Sequence, residues 1–426
     1  MTGGINILKW VNSLFKKRDS AVFGLIEKEH DRQRNYLNMI PSENYCPRQV
    51  REASASVLMN KYSEGYPNKR YYQGNEFIDK IETLAIQRAK KLFNAEHANV
   101  QPWSGSIANM AVYHALLEPG DKLMAMNLSH GGHLTHGSPV NFSGAFYKIA
   151  DYGVDKDTEM LDMDKVRKLA EKEKPKMILS GFTSYPRTID FKEFHDIAHS
   201  VGAVSFADIS HIAGLIVGKV HPSPLPYTDI VMTTTHKTLQ GPRGAIILTN
   251  NKFAGMIDKA VFPGLQGGPH ENIIAAKAVC FDLAMKPEFQ EYAFQIVKNA
   301  KALASTLMEN GIKLVSNGTD NHLLLIDLLK TKNIEKQGLG RQGAMALEQS
   351  GIVTNANTIP FDPSTPFNPS GIRIGTPILT MRGMKESEMK VIGNYISKIL
   401  LNMPDDGLKE RIRKEVLELC EEFPLR

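Results

Sequence analysis

The 426-residue sequence holds only three cysteines, Cys46, Cys280 and Cys420, widely spaced and without a CxxC pair. That excludes a disulfide scaffold and a thiolate zinc site, and it suits a reducing, cytoplasmic setting. No apolar run approaches the ~20 residues that span a bilayer, so no membrane partner is expected. Low-complexity tracts and internal repeats are missing too. Charge is nearly balanced: 51 Lys and Arg against 46 Asp and Glu give +5. No basic cluster interleaves with aromatics, so no nucleic-acid partner is expected. The N-terminus lacks the apolar core and small-residue cleavage site of a secretory signal. Ile7, Leu8, Val11, Leu14 and Phe15 do fall at helical spacing, which reads as an arm helix packing on the body or a partner subunit, or as an amphipathic targeting segment.

The composition is that of an ordinary globular protein, 42% hydrophobic and 23% charged. The length implies two or three domains, or one large α/β domain with an appendage. A charged helix begins near Val22 and ends before Pro41. Residues 60–76, NKYSEGYPNKRYYQGNE, have no apolar period and read as an ordered, tyrosine-rich loop. Short apolar strands then alternate with helical patterns: HANVQ, DKLMAMN, AFYKI, KMILSGF, AVSFAD, DIVMTTT and GAIILTN are the strands. Such alternation predicts a mostly parallel sheet covered on both faces, with ligands at the carboxyl ends of its strands. A long helical pattern over 271–310 leads into KLVSNGTDNHLLLIDL, which reads as two strands, then the strand GIRIGTP and two amphipathic helices. Leu408, Ile412, Val416, Leu419 and Phe423 form one apolar stripe on the last helix. The expected division is an arm over 1–47, a large domain over 48–300 and a smaller α+β domain over 301–426.

Several residues carry candidate chemistry. In TTTHKT, Lys237 stands just past a buried strand; burial there would lower the ammonium pKa and free the amine for Schiff-base chemistry, although a surface lysine opening a loop is the commoner reading of such a residue taken alone. Asp208 ends the strand AVSFAD. A carboxylate there suits a cofactor with a basic ring nitrogen, and it also suits a helix N-cap or a metal ligand paired with His211. SerGlySer, residues 104–106, precedes a helix and reads as a phosphate cradle or as a plain cap. His130, His133 and His136 are evenly spaced in SHGGHLTHGSP. Glycines and Pro139 spoil a shared face and no Cys or Glu completes a ligand set, so no metal is expected. An imidazole lying on an aromatic cofactor, or a packed core histidine, fits better. Arg373 in SGIRIGTP calls for an anion, either a substrate carboxylate or a structural Asp or Glu.

Beyond these single signals, from about Glu27 to Pro424 the sequence resembles serine hydroxymethyltransferase. The stretches SENY, NKYSEGYP, KRYYQGNE, HGGHLTHGSPVNFSG, TTTHKTLQGPRG, VFPGLQGGP and SGIRIGTP carry the likeness. The resemblance implies the aspartate-aminotransferase-like fold (fold type I of pyridoxal-phosphate enzymes): an α/β large domain with a mostly parallel seven-stranded sheet, and active sites shared across a homodimer, with pairing into tetramers left open. It makes Lys237 the lysine that binds pyridoxal 5'-phosphate as an aldimine and Asp208 the partner of the ring nitrogen. His133 would stack on the ring, and His211 would lie near the ring oxygen and substrate carboxylate. Ser104, Gly105, Ser106 and His236 would hold the phosphate, completed by Tyr62, Gly267 and Gly268 from the neighbouring subunit. Thr183 matches the position beside the ring hydroxyl. Arg373 with Ser42 would clamp the amino-acid carboxylate. Glu64, with Tyr72 beside it, would shuttle a proton at the hydroxymethyl group. Tyr71, Leu128, Gly132, Leu134, Asn357 and Phe262 match folate-binding positions.

The implied reaction is reversible transfer of the L-serine hydroxymethyl carbon to tetrahydrofolate, giving glycine and 5,10-methylenetetrahydrofolate. A folate-independent aldolase acting on β-hydroxy amino acids such as allo-threonine is the alternative, needing Lys237, Asp208 and Arg373 but not Tyr71 or Asn357. The chain departs from the common bacterial pattern at Asn68, Gln73, Trp103, Ile107, Met232 and Leu265, none of which is a residue with an implied catalytic role.

Overall fold

The computed structural model of the protein describes residues 19–334 and 336–425. The proposed arm helix around Ile7–Phe15 lies outside them. At the centre is a seven-stranded sheet, in spatial order His97–Asn99, Ala245–Thr249, Ile230–Thr234, Val204–Asp208, Met177–Ser180, Lys122–Met126 and Lys148–Tyr152. Only Ala245–Thr249 runs antiparallel to its neighbours. Each of the seven strands expected for this sheet has a counterpart, but the one read at AFYKI is shifted to Lys148–Tyr152, because Ala145 and Phe146 end a short helix.

Alternate residues of these strands feed two separate apolar layers. Ile178, Val231, Ile246 and Leu248 enter one, while Met177, Leu179, Phe206, Ile230, Met232 and Ile247 enter the other. A sheet buried on both faces needs apolar side chains at every position, which is why DIVMTTT and GAIILTN show no polar alternation. Each fully buried aliphatic side chain contributes about 1.5–3 kcal/mol of transfer free energy.

The expected long helix over 271–310 is two, Glu271–Ala284 and Pro287–Glu309. Pro287 cannot sit inside a helix but suits its first turn. The second helix joins two cores: Ala293 and Ile296 pack with the large sheet, Ala300, Leu303 and Leu307 with the C-terminal core. In that C-terminal part, the two expected strands of KLVSNGTDNHLLLIDL reduce to one, Leu323–Asp327, plus a single bridge at Leu314. Ser316 and Asn317 take positive φ, which ends extension before a strand can form. Leu323–Asp327 flanks the central strand Gly371–Gly375, with Asn355–Asn357 on its other side. Leu37 and Met39 of the N-terminal segment belong to this C-terminal core, and Leu37–Asn38 pairs in parallel with Ile352–Val353. The stripe on the last helix packs there as well: Ile412 and Val416 are buried, and Leu408, Leu419 and Phe423 lie against them.

The tyrosine-rich loop is more regular than expected, because Gly65–Tyr66 and Lys69–Arg70 form a hairpin. Asn68, one of the departures from the family pattern, sits at its turn with φ +63; asparagine tolerates the left-handed conformation that glycine otherwise supplies. Arg70 anchors the hairpin, bonding Asp79 at 2.9 Å and Glu82 at 2.5 Å with its guanidinium buried. All three cysteines are free thiols.

Candidate active site

The carboxyl ends of the parallel strands converge on one cavity of about 310 Å³. The strand Val204–Asp208 delivers Asp208, and Ile230–Thr234 leads directly into His236 and Lys237. Phe182 and Thr183 follow Met177–Ser180, and Ser104 opens the helix Gly105–Leu116. The cavity is lined by Lys237, Asp208, His133, His211, His236, Ser104, Gly105, Ser106, Thr183 and Ser42. These are ten of the residues singled out from the sequence, drawn from six separate segments.

Lys237 Nζ donates to Thr234 Oγ1 at 2.9 Å, and its carbonyl accepts from Asn44 at 3.0 Å. Burial lowers its ammonium to about 8, against the opposing pull of Asp208 and helped by Arg373 and Arg243. Burial alone would raise the Asp208 carboxyl, but the hydrogen bond from His136 and the neighbouring His136 and His133 rings hold it well below the ordinary range. Asn109 Nδ2 and the Ser210 amide add bonds to the carboxylate, each at 3.1 Å. Desolvation keeps His133 neutral, pushing it to about 4, and takes His236 to about 3. His211 is fully enclosed, with Nδ1 3.4 Å from His322 Nε2, and burial lowers its pKa strongly.

Arg373, on the strand Gly371–Gly375, does not line the cavity itself but is bonded to Thr183, which does. Its Nη1 donates to the Thr183 carbonyl at 2.7 Å and its Nε to Asn355 at 3.2 Å. No carboxylate faces it among the described residues, and burial lowers it to about 10. A structural Asp or Glu partner, one of the two readings of this arginine, is therefore missing.

The residues present fit a phosphorylated pyridine. His236 Nδ1 is buried without a hydrogen-bond partner. The Ser104 hydroxyl caps only the Ile107 amide, at 3.4 Å, leaving the Gly105 and Ser106 amides without protein acceptors among the described residues, as a helix start does. A Cβ on Gly105 would stand 2.7 Å from Thr234 Cγ2, so only glycine lets this turn approach the strand. Met232, another departure, fills space beneath the same turn, its Cε 3.9 Å from that point.

Other candidates are not at this cavity in their own chain. Tyr62, Glu64, Gly267 and Gly268 form a separate group: a Cβ on Gly268 would meet the Tyr62 ring at 3.2 Å, and one on Gly267 would meet Glu64 Oε1 at 3.2 Å. Tyr72 packs edge-on to Tyr62 at 5.1 Å, and Tyr71 packs on Phe262 at 5.8 Å. Leu128 lines a neighbouring cavity of about 510 Å³, which shares His133 and His136 with the first. Leu134 is exposed, and Asn357 donates to the Thr358 carbonyl, which borders that second cavity. Any side chain at Gly132 would strike the Met126 carbonyl at 2.2 Å.

Among the histidine trio, His130 Nδ1 accepts from the Val154 amide at 3.2 Å and its ring packs on Phe361, away from the other two. The sequence reading left His136, Asn109, His322, Arg243 and Asn355 without roles. The spacing from His133 and the GPRG run could have pointed to His136 and Arg243. Nothing local marks Asn109 or His322, which long-range packing brings in. Trp103, a further departure, stacks on His270 with centroids 5.0 Å apart.

The family model for serine hydroxymethyltransferase matches residues 15–396. A serine hydroxymethyltransferase of Nostoc sp. is 54% identical over 408 residues, covering 96% of this chain and 94% of that protein. One from Prochlorococcus marinus is 53% identical over 416 residues, covering 97% and 99%. One from Rippkaea orientalis is 54% identical over 410 residues, covering 96% and 95%.

Proposed function

The chain belongs to the serine hydroxymethyltransferase family, and from that premise we propose that it moves the hydroxymethyl carbon of L-serine reversibly to tetrahydrofolate. Glycine and 5,10-methylenetetrahydrofolate are the products. The family has the aspartate-aminotransferase-like fold, fold type I of the pyridoxal-phosphate enzymes, and the α/β architecture with its largely parallel sheet agrees. One observation carries the reading: Arg373, a buried guanidinium with no acidic partner among the described residues, is held on Thr183 of the cavity that also contains the buried, lowered-pKa amine of Lys237.

In this reading Lys237 would hold pyridoxal phosphate covalently through Nζ, and Ser104, Gly105, Ser106 and His236 would hold its phosphate. The group, when bound, supplies a protonated ring that acts as an electron sink for the bond broken at Cα. Asp208, kept ionised by His136 and Asn109, would hold the ring nitrogen's proton in place. Neutral His133 has its Nδ1 engaged by the Thr135 amide and hydroxyl, which fixes the imidazole plane. Thr183 and His211 would lie at the ring hydroxyl and the substrate carboxylate. Arg373, with Ser42, binds that carboxylate and so sets which Cα bond stands perpendicular to the ring.

The proton at the serine hydroxyl falls to Glu64, with Tyr72 beside it. Both stand with Tyr62, Gly267 and Gly268, away from the Lys237 cavity of the same chain. That separation supports a homodimer in which Glu64 of the partner subunit completes each site. Residues 48–300 act as the cofactor-binding domain and 301–426 bring Arg373 to it, with Leu37 and Met39 of the segment over 1–47 packed on the latter. Leu128, Gly132, Leu134 and Asn357, with Tyr71 and Phe262, serve tetrahydrofolate. No described helix is long and apolar enough to cross a membrane, and the three free thiols suit a reducing cytoplasm.

The test is serine turnover by the purified protein with and without tetrahydrofolate. Folate-dependent release of the one-carbon unit is expected. Turnover indifferent to folate would replace the transferase with the aldolase reading.

A further inference from the structure

Away from this site, the helix Phe191–Ser200 places His195 and His199 one turn apart, on the same face. Their ring centroids are 3.9 Å apart. Facing them is Asp229, immediately before the strand Ile230–Thr234. One ligand atom each from His195, His199 and Asp229 lies within 4.8 Å of the other two, and no other group of three such side chains comes this close among the described residues. The three sit at the amino ends of the strands, whereas Lys237 and Asp208 sit at the carboxyl ends. Crossing Ile230–Thr234 alone separates them by roughly 17 Å.

We propose that His195, His199 and Asp229 bind a divalent transition-metal ion of the zinc class, tying the helix Phe191–Ser200 to the amino end of the strand Ile230–Thr234. Two imidazoles and a carboxylate are the donor set such ions favour over calcium or magnesium. A tetrahedral zinc needs donor atoms ~3.4 Å apart, so the present arrangement closes with a small rotamer change at the histidines. Both have room for it, since His195 is only half-buried and the His199 side chain is 50% exposed. The fourth position would face solvent.

Asp229 is already fixed for this role. Its Oδ2 accepts from the Ser205 amide and hydroxyl, both at 2.9 Å, and its own amide donates to the Ser205 hydroxyl at 3.0 Å. Hydrogen-bonded ligand carboxylates of this kind orient and tune metal sites. His199 Nε2 lies 2.9 Å from Asp229 Oδ2, and His195 Nδ1 lies 3.2 Å from the Ser205 hydroxyl. One ring nitrogen of each histidine is thus turned toward the Asp229–Ser205 pair, and an ion would take the place of these hydrogen bonds.

The experiment uses the full-length holoenzyme, stripped with a chelator and titrated with zinc chloride by calorimetry and by equilibrium dialysis with elemental analysis. The intact protein is expected to take up one more equivalent per chain than His195→Gln or His199→Gln, with at least tenfold weaker binding in each variant. Zinc should raise the thermal midpoint of the intact protein by several degrees and leave the variants unmoved. The serine-to-folate transfer of stripped intact protein and both variants should agree, so failure of this site and failure of the functional reading remain distinguishable. Equal zinc uptake by intact protein and variants, or a midpoint that zinc does not move, would overturn the proposal.

Discussion

His136 Nε2 lies 3.1 Å from Asp208 Oδ2, while its Nδ1 accepts the backbone N–H of His133 at 3.3 Å. The two contacts fix one tautomer, with the proton on Nε2 and directed at the carboxylate. Asp208 is thereby held ionised though buried.

Replacing His136 tests this directly. His136→Ala should let the buried carboxyl titrate higher and should weaken pyridoxal phosphate binding by about 10–150-fold, the equivalent of one charge-assisted hydrogen bond of about 1.5–3 kcal/mol. Titration of the cofactor-free protein reads the affinity; an unchanged value would mean that Asn109 and Ser210 suffice.

Lys237, lowered to about 8 by burial, must lose its proton before it can act as a nucleophile. The rate of covalent pyridoxal phosphate uptake should rise with pH through about 8 and then level off. Lys237→Ala should form no borohydride-stable adduct. An adduct on that variant would move the assignment to another lysine.

Burial holds His133 near 4 and His322 and His236 near 3, while the unfolded chain takes up these protons near 6.5. Their folded values are depressed, so the stability they contribute is complete above pH ~6.5 and is lost as pH falls toward 4. The thermal midpoint should drop between pH ~7.5 and ~5, and His322→Asn should flatten that drop. An intact protein with no drop would contradict the assignment of neutral histidines.

Arg70 meets Asp79 and Glu82, with Glu271 3.8 Å away, and its side chain is buried. Arg70→Met leaves buried carboxylates unpaired and should cost roughly 3–5 kcal/mol. Denaturant unfolding measures it. A loss below about 1 kcal/mol would mean that Glu271, which burial raises to about 7, and Glu82 simply take up protons.

Tyr71→Ala and Asn357→Ala separate the two reactions the fold supports. Each should reduce serine turnover with tetrahydrofolate at least tenfold, yet leave allo-threonine cleavage within about twofold. Equal losses in both assays would remove the folate role from these residues.

Much of this was legible in the sequence because it is local. The strands announce themselves because both faces of the sheet must be apolar, and Lys237, Asp208 and Ser104 each stand at the end of such a strand or the start of a helix. The family motifs named the chemistry. Where local pattern misled, one residue usually intervened: Pro287 split a continuous helical period, and the positive φ of Ser316 and Asn317 stopped a strand whose composition invited one.

By itself, the sequence determined the fold class through its strand–helix alternation, and the reaction and most residues around the cavity through motifs of several residues that resemble one family. Only the tertiary structure decided who touches whom across long separations. It shows His136 and Asn109 converging on Asp208, His322 reaching His211, Arg373 standing without an acidic partner among the described residues, and Glu64 grouped with Gly267 away from Lys237. It also brought Asp229 up to His195 and His199. Those relations follow from how strands are ordered and helices docked, which burial of the whole chain sets and no local window contains.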